Sequence, residues 1–545
     1  MTVVRKVAGA AGHYGTQLKV LAEAGIIRPY SPAVLARMAR TLKQWGPGLA
    51  GGFTTLAIRA PQEVGLVDEI GELTYAELHE RTNALADSFI RHGVKAGDGI
   101  AIMCRNHRGF VEASIAGAKV GADLLYLNTA FAGPQLADVL EREAPRLVVH
   151  DEEFAELLAG KDDGERVLAW TDSEAPGMPT LEEMIADGSR AAHRAPAKPS
   201  RVIILTSGTT GTPKGAPRSE AGIDNAVALL SRIPLRRGGR MHIAAPLFHT
   251  WGWAHWAMTM LLGSTVVLRR RFDPEESLRT VVEERCNVLV VIPVMLQRIL
   301  QLPEDTLEAY DLSHVEVVTA SGSALPGDLG NEWMDRFGDT LYSTYGSTEV
   351  AYATIATPQD LREAPGTAGE PPWGADVRIY DEDGKPVPDG TPGRIFVKNT
   401  MLFEGYTGGG HKDVIDGFMS TGDVGRIDDR GHLFVEGRDD EMIVSGGENV
   451  FPKEVEDCLS RHEAVVEAAA IGVDDDEFGK RLRAFVVLTD KGAADEESLK
   501  AYVKANLARY KVPREIVVLD ELPRNATGKV LKKDLYELEP ENENA

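Results

Sequence analysis

The ten residues Thr206–Gly215, Thr-Ser-Gly-Thr-Thr-Gly-Thr-Pro-Lys-Gly, constrain this chain more than any other stretch. They follow Arg201-Val-Ile-Ile-Leu205, a β-branched apolar run that predicts a buried strand. A strand that empties into glycines and hydroxyl residues offers free backbone N–H groups and several side-chain donors at close range. Thr206, Ser207, Thr209 and Thr210 supply hydroxyls, Gly208 and Gly211 keep the loop thin, and Lys214 adds a full positive charge. That combination suits a polyphosphate. A plain Gly/Ser/Thr connector has the same composition. Against it, Pro213 stiffens the segment, and the order of residues is too particular for a linker. The loop is not a Walker A sequence, because Gly-x4-Gly-Lys-Ser/Thr does not occur in it.

A chain of 545 residues exceeds a single core, so two or more domains are expected. The net charge of −24 opposes nucleic-acid binding, since a phosphate backbone would be repelled over most of the surface. Cys104, Cys286 and Cys458 stand far apart with no CxxC and no Cys/His cluster along the chain. Neither a disulfide framework nor a zinc site is expected, and a reducing, cytoplasmic setting fits. No apolar run of 18 or more residues occurs, and the N-terminus lacks a signal-peptide core.

Residues 1–50 reverse the local charge: Arg5, Lys6, Lys19, Arg28, Arg37, Arg40 and Lys43 face a single acid, Glu23. Ser31-Pro32 predicts an N-cap with proline at the first helical position. Val34, Leu35, Met38, Leu42 and Trp45 then share one helical stripe, with the basic residues off it. Two readings follow: a helix lying on an anionic membrane surface, or one packed on the body with a solvated basic face.

Further along, Thr74-x-x-Glu77 predicts a capping box opening a helix that ends at Gly93. Gly99–Met103, Arg146–His150, Ser264–Leu268, Val288–Pro293 and Val315–Thr319 predict strands between helices, an α/β layered and mainly parallel sheet. Gly160–Ser200 predicts a loop-rich excursion. His249 and Trp253 open an aromatic-rich helical run; alone, the histidine reads as structural and the tryptophan as core. Ser321-Gly322-Ser323-Ala324 is a small-residue turn where a flat ligand could approach the backbone. Tyr345-Gly346-Ser347-Thr348-Glu349 joins a stacking ring, a thin backbone, hydroxyls and a carboxylate suited to Mg²⁺.

With Thr206–Gly215 and Tyr345–Glu349 in hand, three later segments complete a pattern: Ser420-Thr-Gly-Asp423, Gly437-Arg-Asp-Asp-Glu441 and Gly446-Gly-Glu-Asn-Val-Phe-Pro452. Pro523-Arg-Asn-Ala-Thr-Gly-Lys529 closes it. The chain resembles the adenylate-forming superfamily from about residue 50 to 537, and within it the acyl-CoA synthetases, most closely the bacterial fatty-acid–CoA ligases. The resemblance implies an α/β fold with a large layered N-terminal domain, residues 51–437, and a small mobile α+β domain, residues 438–537. Residues 1–50 would be a basic extension and 538–545 an acidic tail.

It also implies roles. The phosphate loop with Lys214 would hold the β- and γ-phosphates of ATP, Thr348 the α-phosphate, and Glu349 the Mg²⁺. Tyr345, with Gly346 and Ser347 after it, and Gly322, Ser323 and Ala324 would enclose the adenine. Asp423 would take the ribose hydroxyls, with Arg438 beside it. Lys529 would bridge the carboxylate and the α-phosphate, Asp440 would be the hinge, and Gly446, Gly447 and Glu448 would flank the coenzyme A tunnel. A homodimer, and a location in the cytoplasm or at the membrane periphery, are carried as open expectations.

The acid is read from the pocket. Trp253, four residues after His249, stands where fatty-acyl relatives carry an aromatic gate, and Ala257–Leu262 with Ile292–Leu296 are expected to line a hydrocarbon channel. A medium- to long-chain fatty acid is the expected substrate. The alternative is a stand-alone adenylating enzyme for an aromatic or polyketide-like acid, loading CoA or a carrier protein. A catalytically silent scaffold conflicts with Glu349, Asp423 and Lys529 all being present. The chain departs from many relatives at Glu220, where they carry a histidine six residues after the motif lysine.

Overall fold

The computed structural model describes residues 14–538, except 132, 161–163, 175–176, 207–213, 219–222, 404, 406–410, 440–442, 446–447, 476–478, 491, 509–510 and 526–527. Among these residues the large part of the chain holds an eight-stranded and a six-stranded sheet with helices packed over them. The six-stranded sheet orders Glu165–Trp170, Leu147–Asp151, Gly99–Met103, Asp123–Tyr126, Val202–Thr206 and Lys214–Arg218, parallel but for the last pair. In the eight-stranded sheet Leu341–Tyr345, Val317–Ala320, Val288–Val291, Arg240–Ile243, Thr265–Val267 and Val64–Asp68 run parallel in that order. Its two edge strands, Thr354–Ala356 and Gly71–Thr74, are antiparallel.

The strand sequences explain the arrangement. Val288–Val291 and Val317–Ala320 are buried at every position, so continuous apolar runs are tolerated only with both faces covered. A third, antiparallel sheet joins Asp376–Tyr380, Gly393–Lys398 and Phe418–Ile427, with Leu433–Arg438 on its flank. The small part has its own core of Val455, Leu459, Ala484, Val486, Leu499 and neighbours. It is built on the strands Val465–Asp475, Gly479–Leu488 and Glu515–Leu519 and the helices Pro452–Leu459 and Glu496–Asn506. The expected mixed α/β fold, a large N-terminal domain with a smaller C-terminal one, is what the chain adopts.

Two sequence expectations need correction, and one group of residues distant in sequence comes together. Gly160–Ser200 is not simply a loop: Glu165–Trp170 forms the edge of the six-stranded sheet, and Leu181–Asp187 is a helix. Thr180 and Glu183 form a capping box, a signal present in the sequence beside Leu181, Met184 and Ile185. Cys104, His107 and Asp151, distant in sequence, meet in the core. Both ring nitrogens of His107 are engaged there, one with Asp151 at 2.8 Å and one accepting the Gly109 N–H at 3.1 Å, which leaves the ring no lone pair for a metal. Finally, Ile292, Met295 and Leu296 are buried core residues rather than channel lining, and only Pro293 and Val294 of that run face a cavity.

Pro32–Trp45 is a helix, capped by the Ser31 hydroxyl on the Val34 N–H as expected. Its stripe is not sealed against the body. Thr41 is its one fully buried residue among those described, and Leu35 and Leu42 are 49% and 40% exposed. No described helix is long and apolar enough to cross a membrane.

Candidate active site

Three of the motif segments are brought together by one topological rule: they leave the carboxyl ends of parallel strands, where ligands bind in open α/β sheets. Ser321–Ala324 follows Val317–Ala320, Gly346–Glu349 follows Leu341–Tyr345, and His249 follows Arg240–Ile243. They line one continuous cavity of about 2450 Å³. Gly322, Ser323, Ala324, Tyr345, Gly346, Ser347, Thr348, Glu349, Asp423, Arg438, His249, Trp253 and Lys529 all contribute to its wall. Of the phosphate loop, residues 207–213 lie outside the described residues, so Ser207, Gly208, Thr209, Thr210 and Gly211 are not placed. Its ends are: Thr206 closes one strand and Lys214 opens the next, directly across the ladder. The Asp440 hinge and Gly446–Gly447 also lie outside, and Glu448 begins the short strand Glu448–Val450.

The turn after Tyr345 is held by backbone contact. A Cβ on Gly346 would lie 2.3 Å from the Ala351 carbonyl oxygen, so only glycine lets the two segments approach. Asn399 braces the far side by donating to the carbonyls of Val350 and Tyr352, each at 2.7 Å. The Ser347 hydroxyl accepts the Glu349 N–H at 3.2 Å. Ser321 ties the neighbouring turn to the same strand by donating to the Thr344 carbonyl at 2.8 Å.

Asp423 is the electrostatic centre of the opposite wall. It pairs across the ladder with Arg438, whose guanidinium donates to the carboxylate at 3.1 Å. Tyr345, read from sequence as an adenine platform, also donates its hydroxyl to Asp423, at 2.5 Å. Burial raises the Asp423 pKa, and Arg438, the Tyr345 hydroxyl and the charge of Lys529 oppose that rise. Burial, then the Asp423 charge, pushes the Tyr345 phenol well up, so it stays a donor.

Lys529 arrives from the small part on a tight turn. Its backbone N–H donates to the Asn525 side chain at 2.9 Å, and the Gly528 N–H to the Asn525 carbonyl at 2.9 Å. Gly528 has φ +76°, and a Cβ there would sit 2.6 Å from Val294 and 2.8 Å from Ile292. The turn is thus seated directly on the helix that follows Val288–Val291. Gln297 of that helix donates to the Val466 carbonyl at 2.8 Å, and Arg461 reaches Asp328 at 3.6 Å. Gln297, Asn399 and the Ile292–Val294 seat went unread in the sequence, because nothing local marks a side chain that meets a partner far along the chain.

His249 caps the helix Thr250–Leu262, its ring accepting the Trp251 N–H at 3.4 Å. Burial holds its pKa down to about 4, so the ring is neutral. Trp253 lies one turn on, its N–H bonded to the His249 carbonyl at 3.0 Å. Asp360, Glu370 and His432 gather at a second place, but Arg232 already supplies the cation there, bonded to Asp360 and, at 2.7 Å, to Glu370.

Residues 53–407 match the family model of the AMP-binding enzyme, and residues 454–529 that of the AMP-binding enzyme C-terminal domain. The chain belongs to this family. It is an AMP-forming acid–thiol ligase. A feruloyl-CoA synthase from an Amycolatopsis species is 33% identical over 475 residues, covering 85% of this chain and 93% of the relative. An indoleacetate–CoA ligase from Aromatoleum aromaticum is 33% identical over 508 residues, 90% of this chain and 96% of the relative. Among solved structures, ATP-bound MatB from Rhodopseudomonas palustris superposes with a TM-score of 0.79 at 29% identity, covering 90% of this chain and 98% of that one.

Proposed function

We propose that this ligase activates a ring-bearing, aromatic-type carboxylic acid as its acyl-AMP and transfers the acyl group to coenzyme A. The observation that carries the reading is Lys529 of the small domain lining one cavity with Thr348, Glu349 and Asp423. A carboxylate attacking the α-phosphate of ATP crowds negative charge, so fixed donors and cations must meet it where it develops. Lys529 is the mobile cation of that set, bridging the attacking carboxylate and the α-phosphate. Thr348 donates to the α-phosphate, and the Thr206–Gly215 loop with Lys214 holds the departing β- and γ-phosphates. Tyr345, Gly346 and Ser347 with Gly322, Ser323 and Ala324 enclose the adenine, and Asp423 accepts from the ribose hydroxyls with Arg438 beside it. The Glu349 carboxylate, in the cavity wall, is the hard oxygen ligand that Mg²⁺ prefers, and the ion, when bound, would neutralise phosphate charge.

A bond forms from carboxylate oxygen to the α-phosphorus and the bond to the bridging oxygen breaks, so pyrophosphate leaves. In the second step the thiolate sulfur of CoA attacks the acyl carbon and AMP leaves with the electron pair. Gly446, Gly447 and Glu448 would line the path of the pantetheine arm, reached by rotation about Asp440.

The relatives' acids support an aromatic substrate over the fatty acid expected from Trp253. Feruloyl and indoleacetyl groups are the named cargo of two of them. A fatty acid stays the second reading on one observation, the apolar run Ala257, Met258, Met260 and Leu261 along the cavity. The test is AMP release with ATP and CoA across cinnamic, arylacetic, fused-ring and straight-chain acids. Ring-bearing acids should exceed straight-chain acids in kcat/KM by tenfold or more, and the reverse order would overturn the substrate reading. Thioester formed on a carrier protein but not on CoA would overturn the acceptor.

A further inference from the structure

The family model begins at residue 53, yet the cavity does not end there. Ile26, Tyr30, Met38, Leu42 and Leu49, all ahead of that boundary, line it together with the residues of the adenylation site. These residues are fixed to the pocket rather than draped over it. Gln17 bonds to Asp224 at the start of the helix Ile223–Leu230, and the Arg237 N–H donates to the Ala24 carbonyl at 2.9 Å. Arg59 joins the two sides: one guanidinium nitrogen donates to the Tyr30 hydroxyl at 3.3 Å and another to the Met260 carbonyl at 3.0 Å. Met260 belongs to the helix Thr250–Leu262, which begins beside His249 in the cavity wall.

That helix sets a scale. From Trp253 to Leu261 it rises about 12 Å at 1.5 Å per residue, longer than a single aromatic ring needs. Over that distance the lining changes from Trp253 through Ala257 and Met258 to Leu261. At that end Arg59 ties Tyr30 to Met260, and Met38 and Leu42, on one face of Pro32–Trp45, line the same cavity. This accounts for a stripe that is apolar yet unsealed: Leu42 is 40% exposed while facing the cavity.

We propose that residues 26–49 form the distal wall of the acyl cavity, and that Met38 and Leu42 set how far an extended, chiefly apolar acid reaches from its carboxylate. The proposal rests on the acyl-ligase reading above. Methionine is suited to the position, since its unbranched chain repacks against variable apolar shapes.

The test uses the full chain and a series of ω-phenylalkanoic acids of increasing length, read as kcat/KM for pyrophosphate release. Met38→Trp and Leu42→Trp should lower kcat/KM for the longest acid the wild type accepts by tenfold or more, leaving the shortest within twofold. Met38→Ala should shift the preference toward longer acids. Leu35→Trp, on a residue that does not line the cavity, should keep the wild-type profile. An active wild type whose length profile is unchanged in Met38→Trp, Leu42→Trp and Met38→Ala overturns the wall. So does a uniform loss over all acids. A wild type that releases pyrophosphate with no acid of the series, while ATP still binds, removes the ligase reading and this proposal with it.

Discussion

At the scale of the residue, Lys529 carries the sharpest consequence. In the proposed reaction it is the cation delivered by the small domain, so Lys529→Ala should reduce acyl-AMP formation by about 10²–10³-fold, the scale of losing one preorganised charge donor. Thioester formation from preformed acyl-AMP should survive, since that step needs no new bond to phosphorus. Single-turnover assays of each half separate the two, and equal loss in both would contradict the assignment. Three histidines, His242 and His255 in the core and His249 in the cavity wall, make a second prediction. His242, His249 and His255 are pushed down to about 4 by burial. The unfolded chain binds protons on them below about pH 6.5, while the folded chain stays neutral to about pH 4. The unfolded state therefore holds more protons in that window, and stability falls as pH drops through it, by about 1.4 kcal/mol per pH unit for each ring. Urea midpoints between pH 7 and 5 should show this slope. His255→Phe, which removes a ring whose Nε2 has no partner, should flatten it. An identical slope in the variant would refute the account.

At the scale of the element, legibility in the sequence followed burial. Gly99–Met103 and Val288–Val291 fall where the apolar runs put them, because a strand covered on both faces reads as a near-continuous apolar run. Glu165–Trp170 was missed: an edge strand half-exposed along its length carries a weaker pattern. The site loops were legible as chemistry, from hydroxyls, glycines and single charges, but not as supports. Nothing near Asn399 announces that it spans to Val350 and Tyr352, and nothing near Gly528 announces Val294. The second of these gives a test. Gly528→Ala combines a positive φ, which costs a non-glycine residue about 1–2 kcal/mol, with a contact at 2.6 Å to the Val294 side chain. Adenylation should fall by about tenfold or more as the Lys529 turn loses its seat. Val294→Ala should recover part of that loss, because it removes the opposing methyl but not the backbone strain. A double variant no better than Gly528→Ala would show that the seat is not what fails. Asn399→Ala should cost about 1–3 kcal/mol through loss of its two hydrogen bonds to the Val350 and Tyr352 carbonyls, read as a lower melting temperature together with a raised KM for ATP.

At the scale of the whole molecule, the order of motifs could be read in the sequence, whereas the arrangement of the two domains could not. Motif order points to a nucleotide site and to a lysine on the small domain, Lys529. It does not say where the small domain rests, because that depends on surface contacts such as Gln297 with Val466 and Arg461 with Asp328. The small domain rests with Lys529 on the cavity, the arrangement that the proposed first step requires. Arg394, paired with Asp439 at 3.1 Å and with Asp413 at 2.8 Å, anchors the chain just before the expected hinge at Asp440. Polar contacts of this kind between domains permit rotation. If the thiol step needs another face of the small domain turned inward, fixing the hinge should separate the halves. Asp440→Pro confines φ to about −65° and removes one backbone donor. Pyrophosphate release with ATP and acid should stay within a few-fold of wild type for the first turnover, leaving acyl-AMP bound, while CoA thioester formation falls by about tenfold or more. Rapid-quench measurement of both products from one reaction decides it. Thioester formation that keeps pace with adenylation in this variant would mean that the two steps share one arrangement of the domains.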